Sequence, residues 1–387
     1  MKIAIISDYF YPSLGGITEH VYNFSKYAIK AGHDVQVITP YPLNHSKSNI
    51  DKMDTSLLPG SIIRFGRHLP IFSNGSLSKI GISFGINKKL KNLFKREKFD
   101  VIHIHSPLAG FLPMMSIKYS DTLTIGTIHT YFNDNFWFNL FKPSILKYYD
   151  ALDACISVSD SSRELIEKEL SRSPFVIPNG IDVNVFGNTN DKVDKFNDNK
   201  VNMFFIGRAD VRNGIDVLIK AFLKSIRTYK NMRLIIAGGG PYLSIYKDMV
   251  PVENKDDVVF VGKINEERPA YYNTADVHIF PAEIAAHSIT VLEGLAAGKP
   301  IITTDIKSFS DVITNGKEGF LVKYGDVDTM SQKILELANN KELREKMGKA
   351  ARARAMDFSW ESVTDRIIGF YKDCHKKAVS EKKYPVV

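Results

Sequence analysis

Short apolar runs of strand length alternate with helix-length amphipathic segments along this chain. Strands that read as continuous apolar runs are buried on both faces, and the helices between them supply the cover. That pattern predicts parallel α/β sheets. The first unit shows it. Ile3–Ser7 reads as a strand and Tyr9–Gly16 as a loop holding Pro12, Gly15 and Gly16. Thr18–Ala31 reads as a helix with Val21, Phe24, Ala28 and Ile29 on one face and Gly32 as its stop. Val35–Thr39 follows as a strand, and Ile62–Phe65, Val101–His105, Thr124–Ile128, Ala154–Val158 and Phe175–Ile177 continue the series.

The alternation breaks once. Gly187–Lys200 is polar and rich in Asn and Asp, which predicts an inter-domain linker. A second α/β series then begins, with strands at Asn202–Ile206, Leu234–Ala237, Val258–Val261, Val277–Phe280 and Pro300–Thr303. Helices are expected at Gly214–Tyr229, Ile289–Ala297 and Thr329–Asn339. For 387 residues this gives two doubly wound, Rossmann-like domains of similar size. We place them at 1–186 and 201–360, with 187–200 as linker and 361–387 as a C-terminal helix returning to the first domain, plus a tail. Ligands of such sheets bind at the carboxyl ends of the strands, so a central cleft between facing domains is the expected site.

Lys and Arg outnumber Asp and Glu by 51 to 43, a net charge of +8. The excess fits nucleic acid, an anionic membrane surface or a phosphorylated small molecule. No groove-reading or RNA-binding module is present, so nucleic acid is the weakest of the three. The two cysteines, Cys155 and Cys374, are far apart and have no metal spacing, which suits a reducing compartment. The apolar run at the N-terminus is too short for a signal peptide, and no stretch is long enough to span a membrane. A cytoplasmic location is expected.

Several segments could carry chemistry. Gly15-Gly16 lies between the first strand and the first helix, where backbone N–H groups can approach an anion. A plain tight turn is the alternative, and GxGxxG is absent. His20 lies one turn into that helix. Arg208 follows a strand, with Arg212 four residues on; the pair suits a diphosphate or simply a solvated loop. Pro281–Gly298 reads as strand end, loop and helix, the helix beginning near Ser288. The unpaired N–H groups of its first turn, at Ser288, Ile289 and Thr290, make a phosphate site. Glu293 sits farther inside that helix, and a carboxylate there suits a ribose diol. Asp326-Val327-Asp328 spells DxD, but it precedes a helix and N-capping explains it better; no metal site is expected.

Taken in order, these motifs resemble the family 4 retaining glycosyltransferases of the GT-B fold. The matching stretches are GGITEHV (15–21), SVSD (157–160), IPNGIDVNVF (177–186), FIGRADVRNGIDVLIKAF (205–222), IIAGGGP (235–241), VVFVGKI (258–264), ADVHIFPAE (275–283) and VLEGLAAGKPII (291–302). VIHIHSPLAGFLP (101–113), GTIHTYF (126–132) and LPIFSNGSLSKI (69–80) look most like phosphatidylinositol mannosyltransferases. The resemblance implies His129 beside the donor sugar, Gly16 and Arg208 on the diphosphate, and Glu293 on the ribose. It puts Asn74, Gly75 and Ser76 beside the acceptor, with Tyr9, Lys79 and His20 as further acceptor-side candidates. His129 and Arg208 are the catalytic candidates.

Two positions depart from the family pattern. Asn213 stands where the family usually has a Lys, so one positive charge is missing and Arg212 is the candidate to compensate. Ala285 stands where the family has a Glu that holds donor hydroxyls, and Glu283 lies two residues early. Ile86–Phe99 carries Ile86, Leu90, Leu93 and Phe94 on one helical face and six basic residues on the remainder. Such a helix lies on an anionic bilayer or packs its stripe on the sheet. The implied function is metal-independent transfer of a hexose, with mannose from GDP-mannose the best candidate, to a lipid-linked acceptor at the inner face of the membrane. The rivals are a catalytically impaired GT-B partner subunit and a sugar-nucleotide epimerase.

Overall fold

In a computed structural model, the description covers residues 1–380 apart from 14, 44, 74–75, 108–109, 130–142, 144–145, 171–172, 188–191 and 286–288. The chain divides into two compact units. The first is Met1–Asn179 with Val363–Val387, and the second is Gly180–Ser362.

The first unit is built on an eight-stranded sheet in the order β4-β3-β2-β1-β5-β6-β7-β8. Its strands are β1 (Lys2–Ile6), β2 (Asp34–Tyr41), β3 (Ile62–Ser73), β4 (Ser76–Ile82), β5 (Val101–His105), β6 (Leu123–Ile128), β7 (Ala154–Ser157) and β8 (Phe175–Val176). All pairings are parallel except β3 with β4, an antiparallel hairpin in which Arg67 faces Ile82 and Ser73 faces Ser76. The apolar-run criterion finds only the first third of β3 and misses β4. The reason is local: Ser73, Ser76, Ser78 and Lys79 interrupt the apolar run. β1 is buried throughout apart from Lys2, and Val101 through His105 of β5 are all buried.

The second sheet runs β11-β10-β9-β12-β13-β14, all parallel. Its strands are β9 (Val201–Ile206), β10 (Met232–Ala237), β11 (Val258–Gly262), β12 (Val277–Phe280), β13 (Ile301–Thr304) and β14 (Gly319–Val322). Numbered from its own first strand, this is the 3-2-1-4-5-6 order of a dinucleotide-type fold. The order reverses between β9 and β12, and in the first sheet between β1 and β5. These switch points are where strand ends splay and leave a crevice.

The Asn/Asp-rich stretch is not a free linker where it is described. Phe196 is buried in a core cluster of the second unit. Asp198 pairs with Arg233, and Lys200 with Asp257. The apolar Phe196 and the arginine on β10 give this polar segment a place to pack. At the other end, the helix Trp360–Ser380 carries Tyr371, whose hydroxyl lies 2.5 Å from His103 Nδ1 inside the first unit.

The helix Ile86–Glu97 follows one of the two readings open for it, with its stripe packed on the sheet. Ile86, Leu90, Leu93 and Phe94 all pack into the core of the first unit. Its apolar stripe covers the sheet. The basic residues Lys88, Lys89, Lys91, Lys95, Arg96 and Lys98 remain exposed. No helix among the described residues is long and apolar enough to cross a membrane.

Candidate active site

The carboxyl ends of β1, β5 and β6 gather a set of buried polar side chains in the first unit. The helix Gly16–Lys30 starts beside them, with Gly15 at its N-cap position. His20, on that helix, is 2% exposed, and its Nδ1 lies 2.9 Å from Asn179 Oδ1. His103 and His105 are two residues apart on β5 and so share a face of the strand. His103 Nε2 lies 2.6 Å from Thr127 Oγ1, and His105 Nδ1 lies 2.8 Å from His129 Nε2. The rings of His20 and His129 are 4.9 Å apart edge to face, and those of His105 and His129 are stacked at 5.1 Å.

Burial holds His20, His103 and His105 neutral. It pushes His20 down to about 4, against partial support from Asn179, and His103 down to about 3. His105 lies well below its ordinary value, from burial first and from the neighbouring rings second. Of the site candidates in this unit, His20 and His129 are thus brought together. Tyr9 is half-buried, its N–H donating to Ser7 Oγ. Ser76 and Lys79 lie on β4. Asn74 and Gly75 fall outside the described residues. Sequence reasoning passed over His105 and Asn179 as site residues. The alternation His-Ile-His on a buried strand was the signal for the first; nothing local marks the second.

In the second unit, β9 ends at Ile206 and Arg208 follows it, 57% exposed at the side chain. Its Nε lies 3.8 Å from Asp210, and Arg212 reaches the same carboxylate oxygen at 3.5 Å. Both are surface pairs that a diphosphate can displace cheaply. Asn213 closes a 3-10 turn and its amide donates to the Arg208 carbonyl at 2.6 Å, so it braces the loop without adding charge. Gly214 follows in the left-handed region, and a Cβ there would lie 2.1 Å from the Pro281 carbonyl oxygen. That contact seats the arginine loop against the end of β12.

The helix Ile289–Ala296 begins just past residues outside the description, Ser288 among them. Ile289 and Thr290 are half-buried and Glu293 is 3% exposed. Glu293 pairs with Arg268 and accepts from the Tyr272 hydroxyl at 2.7 Å. Burial works against the Arg268 charge, and Glu293 more than offsets it, so the guanidinium is held above its ordinary range. Tyr272 also donates to the Thr290 carbonyl at 3.1 Å. Arg268 and Tyr272 therefore fix the carboxylate that sequence reasoning assigned to a ribose. They lie on Arg268–Thr274, remote in sequence from Glu293, and carried no motif signal. Glu283 is exposed and Ala285 half-buried against a core cluster. Asp326 caps the helix Val327–Asn339 by accepting from the Thr329 N–H, as the N-cap reading of DxD requires.

A cavity of about 690 Å³ lies around Asp153, Arg163, Phe175, Arg366 and Phe370. None of the candidate residues lines it.

Sequence families divide the chain as its units do. "Glycosyltransferase Family 4" matches residues 14–185 and "Glycosyl transferases group 1" matches 188–354. The chain belongs to glycosyltransferase family 4. Among relatives of this glycosyltransferase, the phosphatidyl-myo-inositol mannosyltransferase of Mycolicibacterium smegmatis is 26% identical, covering 96% of this chain and 94% of its own. The Mycobacterium tuberculosis protein of the same name is 25% identical, covering 96% and 97%. Among solved structures, Anabaena HepE in complex with UDP superposes with a TM-score of 0.75 at 14% identity, covering 96% of this chain and 100% of that one. The Rickettsia africae glycosyltransferase gives 0.74 at 19%, covering 96% and 98%. The fold is GT-B, and the enzyme transfers a sugar from a nucleotide sugar.

Proposed function

We propose that this glycosyltransferase moves a hexose, mannose from GDP-mannose, onto a lipid-linked acceptor of the phosphatidylinositol type. The observation that carries the reading is that relatives named as phosphatidyl-myo-inositol mannosyltransferases align over 96% of the chain. The exposed basic face of the helix Ile86–Glu97 supports a membrane-borne acceptor, with Phe84 beside it 96% exposed. Glu293 holds the ribose, oriented by Arg268 and Tyr272. Arg208, Arg212 and the first turn of the helix at Ile289 and Thr290 are the diphosphate-binding groups of the second unit, and the Gly16 backbone is that of the first. His129 sits at the donor sugar. Ser76, Lys79 and Tyr9 serve the acceptor.

Transfer proceeds with retention. The bond from the sugar's anomeric carbon to the phosphate oxygen breaks as the acceptor oxygen bonds to that carbon on the same face. The acceptor's proton passes to the departing phosphate, and the nucleoside diphosphate leaves. Arg208 meets the charge that develops on it.

The test is a donor panel with labelled GDP-mannose, UDP-glucose and UDP-N-acetylglucosamine over phosphatidylinositol-containing vesicles. Label from GDP-mannose in phosphatidylinositol is the expected result. Label from a UDP-sugar overturns the donor, and label in another lipid overturns the acceptor. A nucleotide-dependent melting shift without transfer or hydrolysis makes the protein a binding subunit.

Membrane attraction has its own test. Each basic residue near an anionic surface contributes about 1 kcal/mol. Replacing Lys88, Lys89, Lys91 and Lys95 by Gln is expected to weaken binding to phosphatidylserine vesicles by about 10²–10³-fold. The melting temperature should not move, because all four side chains are exposed. Vesicle sedimentation reads the first and calorimetry the second. Unchanged sedimentation removes the helix from the membrane contact.

A further inference from the structure

We propose that His20, His105 and His129 form a three-imidazole site for a transition-metal ion of the Zn²⁺ class, and that its occupation holds the enzyme inactive. The inhibitory half rests on the reading that places His129 at the donor sugar.

The three rings come from three elements of one unit: the helix Gly16–Lys30, the end of β5, and the residue after β6. One ring nitrogen from each lies within 4.8 Å of one from each of the others. Two imidazole nitrogens on a tetrahedral Zn²⁺, each about 2.0–2.1 Å from the ion, stand about 3.3 Å apart. Bringing nitrogens up to 4.8 Å apart to that spacing asks for ring movements of about 1 Å.

Two features prepare the side chains as ligands. Asn179 Oδ1 accepts from His20 Nδ1, which leaves the lone pair of that imidazole on Nε2. A metal-bound histidine is commonly oriented in this way by a carbonyl on its other nitrogen. His105 Nε2 is buried and makes no hydrogen bond among the described residues, the kind of lone pair that a cation satisfies. Behind it, His103 packs at 4.3 Å between ring centres and is itself fixed by Thr127 and Tyr371.

The donor set selects the metal. Three imidazoles without a carboxylate suit Zn²⁺, Cu²⁺ or Ni²⁺ and disfavour Mg²⁺ and Ca²⁺, which take oxygen ligands. Three protein ligands leave a fourth position for water. His129 is half-buried, so the ion enters on its side of the cluster. Once bound, the ion ties up the His129 imidazole and adds two positive charges where a sugar hydroxyl is to bind.

The experiment uses full-length protein stripped with chelator and titrated with Co²⁺, read by visible absorption and displaced by Zn²⁺. One equivalent should bind with the absorption of a four-coordinate nitrogen site. Asn179→Ala should bind about 10–100-fold more weakly, the usual cost of losing a partner behind a ligand. His105→Gln should lose at least as much. His20→Gln repeats the measurement if His105→Gln melts below the assay temperature. A Cys374→Ser/His375→Gln variant should bind as the wild type does. No stoichiometric binding, or equal binding by His20→Gln and His105→Gln, overturns the site. In transfer assays Zn²⁺ should inhibit and EDTA restore. Stoichiometric binding with undiminished transfer overturns the inhibitory half and the placing of His129 at the donor, while failed binding leaves the donor panel above untouched.

Discussion

Arg208→Ala is expected to lower transfer by about 10²–10³-fold, the usual cost of removing one preorganised donor from a developing negative charge. In the proposed reaction the departing diphosphate is that charge. The chain has Asn213 where its family usually carries a lysine, so less positive charge shares the load and Arg208 matters more. Its side chain is 57% exposed and its recorded partner is Asp210 at 3.8 Å, so nothing structural depends on it. Stability should stay within about 0.5 kcal/mol of wild type. Arg208→Lys keeps the charge but not the two-pronged geometry and should recover only part of the rate. Initial rates on labelled donor check this, with a melting curve as control. Transfer by Arg208→Ala within about threefold of wild type removes the role.

Asp8→Asn is expected to stabilise the first unit at pH 8 and to do little near pH 4. Asp8 follows β1 and is 1% exposed. It is wedged between backbones: a Cβ on Gly110 would lie 1.8 Å from Oδ2, and one on Gly81 2.7 Å from Oδ1. Among the described residues neither oxygen has a hydrogen-bond partner of normal geometry, and the Gly81 amide opposes the effect of burial only in part. Burial therefore pushes the carboxyl from 3.8 up to about 8. Between those values the native state holds a proton that the unfolded chain has released. Stability accordingly falls as pH rises through that window and levels off above it. The loss is at most about 1.4 kcal/mol per pH unit, and water reaching the group reduces it. Asn cannot ionise and fills the same volume. A gain of about 2–4 kcal/mol at pH 8 corresponds to roughly 5–10 °C for a unit of this size. Calorimetry at the two pH values checks it, and an equal shift at both excludes the carboxylate as the cause.

Much of the fold was legible because a doubly wound sheet writes itself as apolar runs. β1, β5, β9 and β10 are such runs, and each was expected within a residue or two of where it lies. The β3–β4 hairpin was not, although Asn74-Gly75 is the dipeptide that favours a tight turn. Its serines and Lys79 broke the apolar pattern, and the segment drew attention for its resemblance instead. The basic helix shows the opposite case. Its amphipathic pattern was plain, yet a stripe facing lipid and a stripe facing a sheet look identical in sequence. Only the packing of Leu90 and Phe94 into the core distinguishes them.

The candidate site divides along similar lines. Gly16, Arg208 and Glu293 are candidates in the sequence because each sits at a fixed offset from a strand end or helix start, where local geometry can present an anion or diol site. Arg268, Tyr272, Asn179 and His105 were not, because their work is to touch something distant in sequence. Glu293 meets Arg268 and Tyr272 only because two helices of the second unit pack together. His20, His105 and His129 are separated by many residues and join only because β1, β5 and β6 lie side by side. The sequence by itself determined the class of fold, the two-part organisation and the residues that chain-local geometry can present to a nucleotide sugar. Tertiary structure alone decided which imidazoles meet, which carboxylate is held and which is stranded, since burial and proximity arise only once strands far apart in the chain become neighbours.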